Sequence, residues 1–277
     1  MAGTLFVVGT PIGNLEDVTA RAARVLGEVD VVVAEDTRRT RTLLAHLGIR
    51  VRLISLPAVR ERAKAGGVLD ELRAGRHVAL VTDAGMPGIS DPGQFLIAAC
   101  LSAGVPVTVV PGPSAAVAAL LASGLASDRW AFEGFLPRKG RARAERLASV
   151  AADERTTVLF ESPRRVGETL RDLAEACGGG RRAAVARELT KLHEEVRRGT
   201  LAELASTYAD EEVRGEVTVV VEGAPPAAAP DVDDATLAEE AAELVAAGAK
   251  PREASAEIAR KHGVPANRVY SALLARH

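Results

Sequence analysis

Short apolar runs alternate with amphipathic stretches along the first hundred residues of this 277-residue chain. The runs lie at 5–8, 29–34, 53–56, 78–81 and 105–110. They are short, nearly continuous and rich in β-branched residues, as strands covered on both faces are. Between them, residues 18–26, 39–47, 67–73 and 94–103 carry helical spacing. This alternation predicts a mainly parallel α/β sheet. After Pro111-Gly112-Pro113 the rhythm continues, with an Ala-rich helix at 114–123 and apolar runs at 130–136, 156–160, 183–186 and 217–221. Helical segments at 142–152, 165–176 and 201–209 complete a second α/β domain with its own sheet.

The pattern then breaks. Gly-Ala-Pro-Pro-Ala-Ala-Ala-Pro at 223–230 cannot hold a helix and reads as a linker. Beyond it, Asp234 is positioned to cap a helix over 235–247 and Gly248 to stop it, with further helices at 251–262 and 265–276. The expected domains are therefore 1–112 and 113–223, both α/β, a linker at 224–233, and a small helix-turn-helix-like unit at 234–277. The alternative for the last is a helical tail docked on the main body.

Composition narrows the class. Hydrophobic residues make up 47%, enough for a sizeable core, while aromatics at 3% argue against an aromatic-rich β-sandwich. A net charge of −2 advertises no global nucleic-acid field, so any such partner must be read from local patches. Cys100 and Cys177 are far apart and lack metal-ligand neighbours, so both are expected as buried small apolar groups, with no disulfide and no metal site. No signal-peptide pattern or membrane-length apolar run is present, and a soluble, cytoplasmic protein is expected.

Four loops that follow predicted strands are crowded with small and polar residues: Gly9–Asn14, Ala34-Glu35-Asp36-Thr37-Arg38, the twelve residues from Thr82 to Gly93, and Pro111-Gly112-Pro113-Ser114. Ligands of open α/β sheets bind outside the carboxyl ends of strands, so these loops can converge on one cleft. The first has neither the spacing of a dinucleotide fingerprint nor the Lys-Ser/Thr of a phosphate loop. In the second half, Phe160-Glu161-Ser162-Pro163-Arg164-Arg165 and Arg187-Glu188-Leu189-Thr190-Lys191 end two further strands with ionisable residues. A basic run, Arg138, Lys139, Arg141 and Arg143, is either a solvated helix start or a holder of phosphates.

Taken together and in order, GTPIGNLEDVTARA, AEDTRRT, TDAGMPGISDPG, PGPSAA, ASGLASD, GFLPRKG, FESPRR, ARELTK and GEVTVVVEG, spanning 4–223, resemble the tetrapyrrole methylase superfamily. More narrowly they are similar to its bacterial ribosomal RNA small-subunit methyltransferase I branch. The resemblance implies a two-domain, class III methyltransferase fold with S-adenosylmethionine (SAM) between the α/β domains and a small helical C-terminal unit. It implies a homodimer acting on the 2′-hydroxyl of a cytidine in the 16S rRNA decoding region of the small ribosomal subunit. Carried over by position, the donor site takes Pro11, Asp83, Gly85, Met86, Ser114, Ala115, Phe160 and Leu189, with the strand start near Glu216 and Val217, and the small residues of the GTPIGN turn let SAM lie against backbone. Met86, Gly88 and Arg164 depart from the family pattern, as does Pro57-Ala58-Val59-Arg60-Glu61, which lacks a usual His-Asn-Glu.

Methyl transfer to a ribose needs alignment and removal of a proton from a weak acid, hence a base or a cation beside the developing oxyanion. The candidates are Glu188 and Glu161, with Asp36 as a further one, for the base, and Lys191, Arg187 and Arg38 for the cation. The chemistry needs no metal. Rival readings are a methylase of a tetrapyrrole or other small molecule, and a non-catalytic ribosome-binding protein on the same fold.

Overall fold

The computed structural model describes residues 2–226 and 232–276, so part of the expected linker, 227–231, lies outside the described residues. Contacts divide the chain into two compact units, Met1–Ala224 and Pro225–His277.

The first unit holds two five-stranded sheets. The first contains β1 (Leu5–Val8), β2 (Val31–Ala34), β3 (Arg52–Ser55), β4 (Val78–Val81) and β5 (Val107–Val110), in the order β3-β2-β4-β1-β5. Every pairing is parallel. Helices α1 (Ala20–Glu28) and α2 (Thr37–His46) bury Val25, Leu26, Leu43 and Leu44 against Val8, Val32 and Val81. On the opposite face α3 (Glu61–Arg73) and α4 (Gln94–Ser102) bury Val68, Leu72 and Leu96 against Val7, Val33 and Leu80. Both faces of the inner strands β1, β2 and β4 are covered, hence their continuous apolar runs. β1 and β4 are neighbours, yet the helices that follow them lie on opposite faces. The order of the sheet therefore reverses between them, the switch point outside whose carboxyl ends open α/β sheets bind ligands.

Helix α5 (Ala115–Ser123) leads into the second sheet, β6 (Trp130–Phe135), β7 (Thr156–Glu161), β8 (Arg182–Arg187), β9 (Glu195–Thr200) and β10 (Val217–Val221), ordered β6-β7-β10-β8-β9. β6 and β7 are parallel, and the other pairings are antiparallel. One face is covered by α6 (Arg141–Ala152), α7 (Val166–Cys177) and α8 (Leu201–Thr207), the other by α5. The sequence reading has no strand at β9. Its residues Glu-Val-Arg-Arg-Gly-Thr form a polar edge strand, the protected kind of edge that carries no apolar signature. α3 starts at Glu61, well before the expected 67, because Gly66 and Gly67 sit inside it.

The second unit comprises α9 (Asp234–Ala246), α10 (Pro251–His262) and α11 (Ala266–Ala275) around a core of Leu237, Ala241, Ile258, Val269 and Leu273. The helix cap is Asp233, which accepts from the Thr236 N–H at 2.6 Å, and not the expected Asp234. Asp234 instead pairs with Arg268 at 2.7 Å, and Glu240 holds both Lys261 and His262. The acidic first helix and the basic later ones are partly spent on each other.

Cys100 is fully buried in the first core, where desolvation pushes its thiol up to about 11. Cys177 packs against the second core. No helix among the described residues is long and apolar enough to cross a membrane.

Candidate active site

The loops after β1, β4 and β5 are fused by backbone contacts. The Gly9 N–H donates to the Val110 carbonyl at 3.0 Å, and Thr10 and Gly85 exchange two bonds of 2.9 and 3.1 Å. The Thr10 hydroxyl donates to the Thr82 carbonyl at 3.2 Å. A Cβ on Gly9 would sit 2.7 Å from both Gly112 Cα and Met86 Sδ. A Cβ on Gly13 would sit 2.5 Å from Lys191 Cγ and 2.7 Å from Thr190 Oγ1. The Asn14 N–H also donates to Thr190 Oγ1, at 3.1 Å. This changes the reading of the GTPIGN turn: at Gly9 and Gly13 the close approach is of protein to protein. Gly9 locks three loops of the first half together, and Gly13 seats the turn on the ARELTK segment of the second half.

The structure gathers most of the expected donor residues around this junction. Pro11 lies in the first loop, and Gly85 and Met86 lie where that loop meets the third. The Gly85 Cβ position is 3.6 Å from the Pro113 carbonyl, one residue before Ser114. Ser114 is the N-cap of α5, but its side chain makes no capping bond, so the first-turn amides of α5, beginning at Ala115, have no side-chain cap. Phe160 and Leu189 pack on Ala116, Ala119 and Leu120 of the same helix. Two expected residues fall elsewhere. Val217 points into the core beneath α7 and α8, on the far face of the sheet from Phe160, while Thr218 stands opposite Phe160 in register. Asp83 turns toward α2. Its carboxylate accepts from the Asp36 N–H at 3.1 Å and pairs with Arg39 at 3.5 Å. It lines a cavity of about 220 Å³ together with Thr10, Pro11, Thr40 and Thr82.

Of the six catalytic candidates, Glu188 and Lys191 come together at the junction. Lys191 Nζ lies 2.8 Å from Glu188 Oε1 and 3.1 Å from Glu216 Oε2, and the Glu216 N–H donates to Glu188 Oε1 at 2.9 Å. The turn that makes this possible is held in the left-handed region at two non-glycine residues, Glu188 (φ 51°) and Thr190 (φ 66°). The Glu194 carboxylate accepts from the Thr190 N–H at 2.5 Å and supports that strained backbone. Gly215 must be glycine here, since its φ is +87° and a side chain would collide with the Glu188 carboxyl. Burial pushes the Glu188 carboxyl up, but the bonds from Lys191 and from the Glu216 N–H outweigh it and hold it below its ordinary value. Burial likewise works against the Lys191 ammonium, and its two carboxylate partners more than compensate, so it stays charged above its ordinary range.

The other candidates serve elsewhere. Glu161 is buried and fully bonded. It accepts from the Ser162 N–H at 2.6 Å, Thr169 Oγ1 at 2.6 Å and Arg165 at 2.8 Å. That network fixes the β7–α7 junction and removes Glu161 as a base. Arg38 pairs with Asp36 at 2.7 Å, and its hydrogen bonds hold the Asp36 carboxyl down at about 2. Arg187 pairs with Glu195 at 3.4 Å. In the basic run, Arg138, Lys139 and Arg141 are exposed, Arg141 with Glu145 at 2.6 Å. Arg143 is corrected: only 6% exposed, it spends its guanidinium on Asp172, the Pro137 carbonyl and Thr169.

Two carboxylates in the loops were not singled out from sequence. Glu35 accepts from Thr82 Oγ1 at 3.3 Å, and burial, then Asp91 and Asp83, raise its carboxyl. Burial, then Asp83 and Glu216, likewise raise Asp91. Neither shift has a local sequence signal, because each depends first on burial and then on carboxylates that the fold brings near. Among the described residues, no group of three or more His, Cys, Asp or Glu is arranged to hold a metal.

A sequence model of the family described as Tetrapyrrole (Corrin/Porphyrin) Methylases matches residues 4–205. The chain is similar to "Ribosomal RNA small subunit methyltransferase I" of Mycobacterium tuberculosis (strain ATCC 25618 / H37Rv), 48% identical over 276 residues, 99% of this chain and 95% of that one. The protein of the same name from Synechocystis sp. (strain ATCC 27184 / PCC 6803 / Kazusa) is 44% identical over 97% of this chain and 96% of its own. Among solved structures, the methyltransferase CobJ superposes with a TM-score of 0.63 at 22% identity, covering 80% of this chain and 95% of that one. Uroporphyrin-III C-methyltransferase from Thermus thermophilus, complexed with S-adenosylhomocysteine, gives 0.59 at 22% identity over 79% and 97%. At that identity the structural likeness establishes the fold.

Proposed function

The chain belongs to the tetrapyrrole methylase family, and from that premise we propose that it transfers the methyl group of SAM to the 2′-hydroxyl of a cytidine in small-subunit ribosomal RNA. The observation that carries this reading is the junction of GTPIGN with ARELTK, which sets a charged lysine between two carboxylates beside the converged loops. Near full-length similarity to relatives named for small-subunit rRNA methylation supports the acceptor class.

The residues at the junction suit SAM. The α5 N-terminus, without a side-chain cap, offers backbone N–H groups and a positive helix end to a carboxylate. Phe160 and Leu189 supply apolar surface beside it. Glu35 and Asp91 are carboxylates that a neighbouring positive charge would relieve. When bound, SAM supplies an electrophilic methyl carbon on a positively charged sulfur.

The rest is the work of this chain. Lys191 has three N–H donors; two meet Glu188 and Glu216, and the third is directed to the acceptor oxygen as it gains negative charge. Glu188 orients Lys191 and, being held below its ordinary range, is a poor proton acceptor. Glu216 is the more open of the two carboxylates, 58% exposed against 19% for Glu188, and takes the ribose proton. The exposed Arg138, Lys139 and Arg141 meet phosphates.

A homodimer fits the exposed apolar residues Val109 on β5, the edge strand of the first sheet, Leu101 of α4, and Val117 and Leu121 of α5. The enzyme works where its ribosomal partner is assembled, in the cytoplasm. The test is transfer of labelled methyl from SAM to assembled small subunits, free rRNA and short cytidine oligomers. Subunits should be the best acceptor by at least an order of magnitude, because shape and phosphate placement are what this surface can read. Equal transfer to the oligomers, or transfer to a tetrapyrrole alone, would contradict the proposal.

A further inference from the structure

Five phenylalanines, two tyrosines and one tryptophan are the whole aromatic complement of the chain. Phe132, Phe160 and Phe135 form one continuous ladder. The Phe132 and Phe160 rings meet edge to face at 4.9 Å between centroids, and Phe160 meets Phe135 at 5.8 Å. The inner end of the ladder packs on α5, while the outer ring, Phe135, is 55% exposed at the carboxyl end of β6.

The exposure is built by the backbone. β6 carries a bulge between Phe132 and Gly134, so that Phe132 pairs with Val158 and Phe135 with Phe160 on β7. Side chains alternate along a strand, and without the extra residue Phe135 would fall on the opposite face from Phe132. The bulge returns it to the Phe160 face. Gly134 makes this possible at φ +61°, and the Cβ position there is 3.2 Å from Ser90 Oγ of the first half. Ser90 is itself in the left-handed region, at φ 61°. Its neighbour Ile89 is 52% exposed. Each half of the first unit thus brings an exposed apolar side chain next to the point where Ser90 and Gly134 touch.

Basic residues follow the ring in the chain. Arg138 and Lys139, both exposed, follow Phe135 after Leu136 and Pro137. The Arg165 guanidinium donates to the Leu136 carbonyl at 3.2 Å, which brings the loop carrying exposed Arg164 alongside. A bare ring supported edge-on from below, on a segment that continues into exposed Arg138 and Lys139, matches a nucleotide with an unstacked base and a phosphate.

We propose that Phe135 is a stacking platform for one unpaired base of the RNA, flanked by Arg138, Lys139 and Arg164 for its phosphates. This rests on the reading that the acceptor is RNA and adds the contact that holds a splayed nucleotide at the cleft. Stacking on an aromatic side chain is worth enough that its loss weakens binding by about tenfold or more.

The test uses the full-length protein with Phe135→Leu and Phe135→Trp. The leucine keeps apolar area and removes the aromatic face. We expect it to raise KM for small subunits about tenfold while kcat, SAM affinity and oligomeric state stay near wild type, and we expect the tryptophan to restore KM. An unchanged KM in Phe135→Leu overturns the proposal. So does a parallel loss of SAM affinity, which would make the ring a donor wall, and so does dissociation to a smaller species, which would make it a contact between copies. A second readout does not depend on turnover: Phe135→Trp fluorescence should be quenched by a single-stranded cytidine oligonucleotide well beyond the signal of native Trp130. Absence of added quenching overturns the proposal even if methyl transfer is confirmed. Quenching without any methyl transfer would leave the platform standing and overturn the activity.

Discussion

At the scale of single residues, the proposed chemistry turns on Lys191 and the carboxylates near it. Lys191→Met removes the charge and keeps much of the side-chain length. It should lower kcat by about a hundredfold, the range for losing one donor to a developing oxyanion, with SAM affinity within about threefold of wild type. Calorimetry and single-turnover kinetics separate the two, and a loss confined to SAM affinity would count against the assignment. Glu35 provides a different check. Its carboxyl is raised, first by burial and then by Asp91 and Asp83, with the Thr82 hydroxyl and Arg39 opposing. A carboxyl raised on folding holds its proton more tightly in the folded state. Its contribution to stability is present below the unfolded value and is lost as pH rises through the folded one. Glu35→Gln should therefore melt higher than wild type at neutral pH, with the difference vanishing in acid. A melting series across pH checks both the sign and the window, and a variant that melts lower at neutral pH would refute the reading.

At the scale of elements, the inner strands of the first sheet were legible because both of their faces are buried and their apolar runs are continuous. β9 was not, since a polar edge strand takes its order from pairing with β8. Loop convergence could be argued from strand order. The roles of Glu161 and Arg143 could not, because nothing local says that a carboxylate after a strand and an arginine in a basic run will both be buried on Thr169. The ARELTK turn is similar: positive φ at Glu188 and Thr190 has no glycine to announce it. The glycines divide by what surrounds them. Gly13→Ala should lower kcat at least tenfold, because its methyl would displace Lys191 and Thr190. Gly66→Ala, inside α3 with nothing within 4 Å, should stabilise the protein by about 0.5–1 kcal/mol. Kinetics and melting curves on the pair test this contrast, and reversed effects would contradict the packing described for both.

At the scale of the whole molecule, the converged loops and the Lys191 cluster both lie in the unit that ends at Ala224, whose N–H still bonds the Asp153 carbonyl at 2.7 Å. The helical unit has its own core, and its basic residues are partly neutralised by α9. The proposed reaction acts on one oxygen atom: a methyl group is placed on a cytidine 2′-hydroxyl. A methylated 2′-oxygen can no longer attack the adjacent phosphate, so the linkage resists alkali, whereas a methylated base leaves it cleavable. The most direct measurement is therefore mass spectrometry of alkali-resistant dinucleotides from 16S rRNA, after purified protein and SAM have acted on unmethylated small subunits. The account predicts a single new resistant linkage at a cytidine of the decoding region, present with wild type and nearly absent with Lys191→Met. Methyl label found only on a base, or no resistant linkage at all, would contradict it.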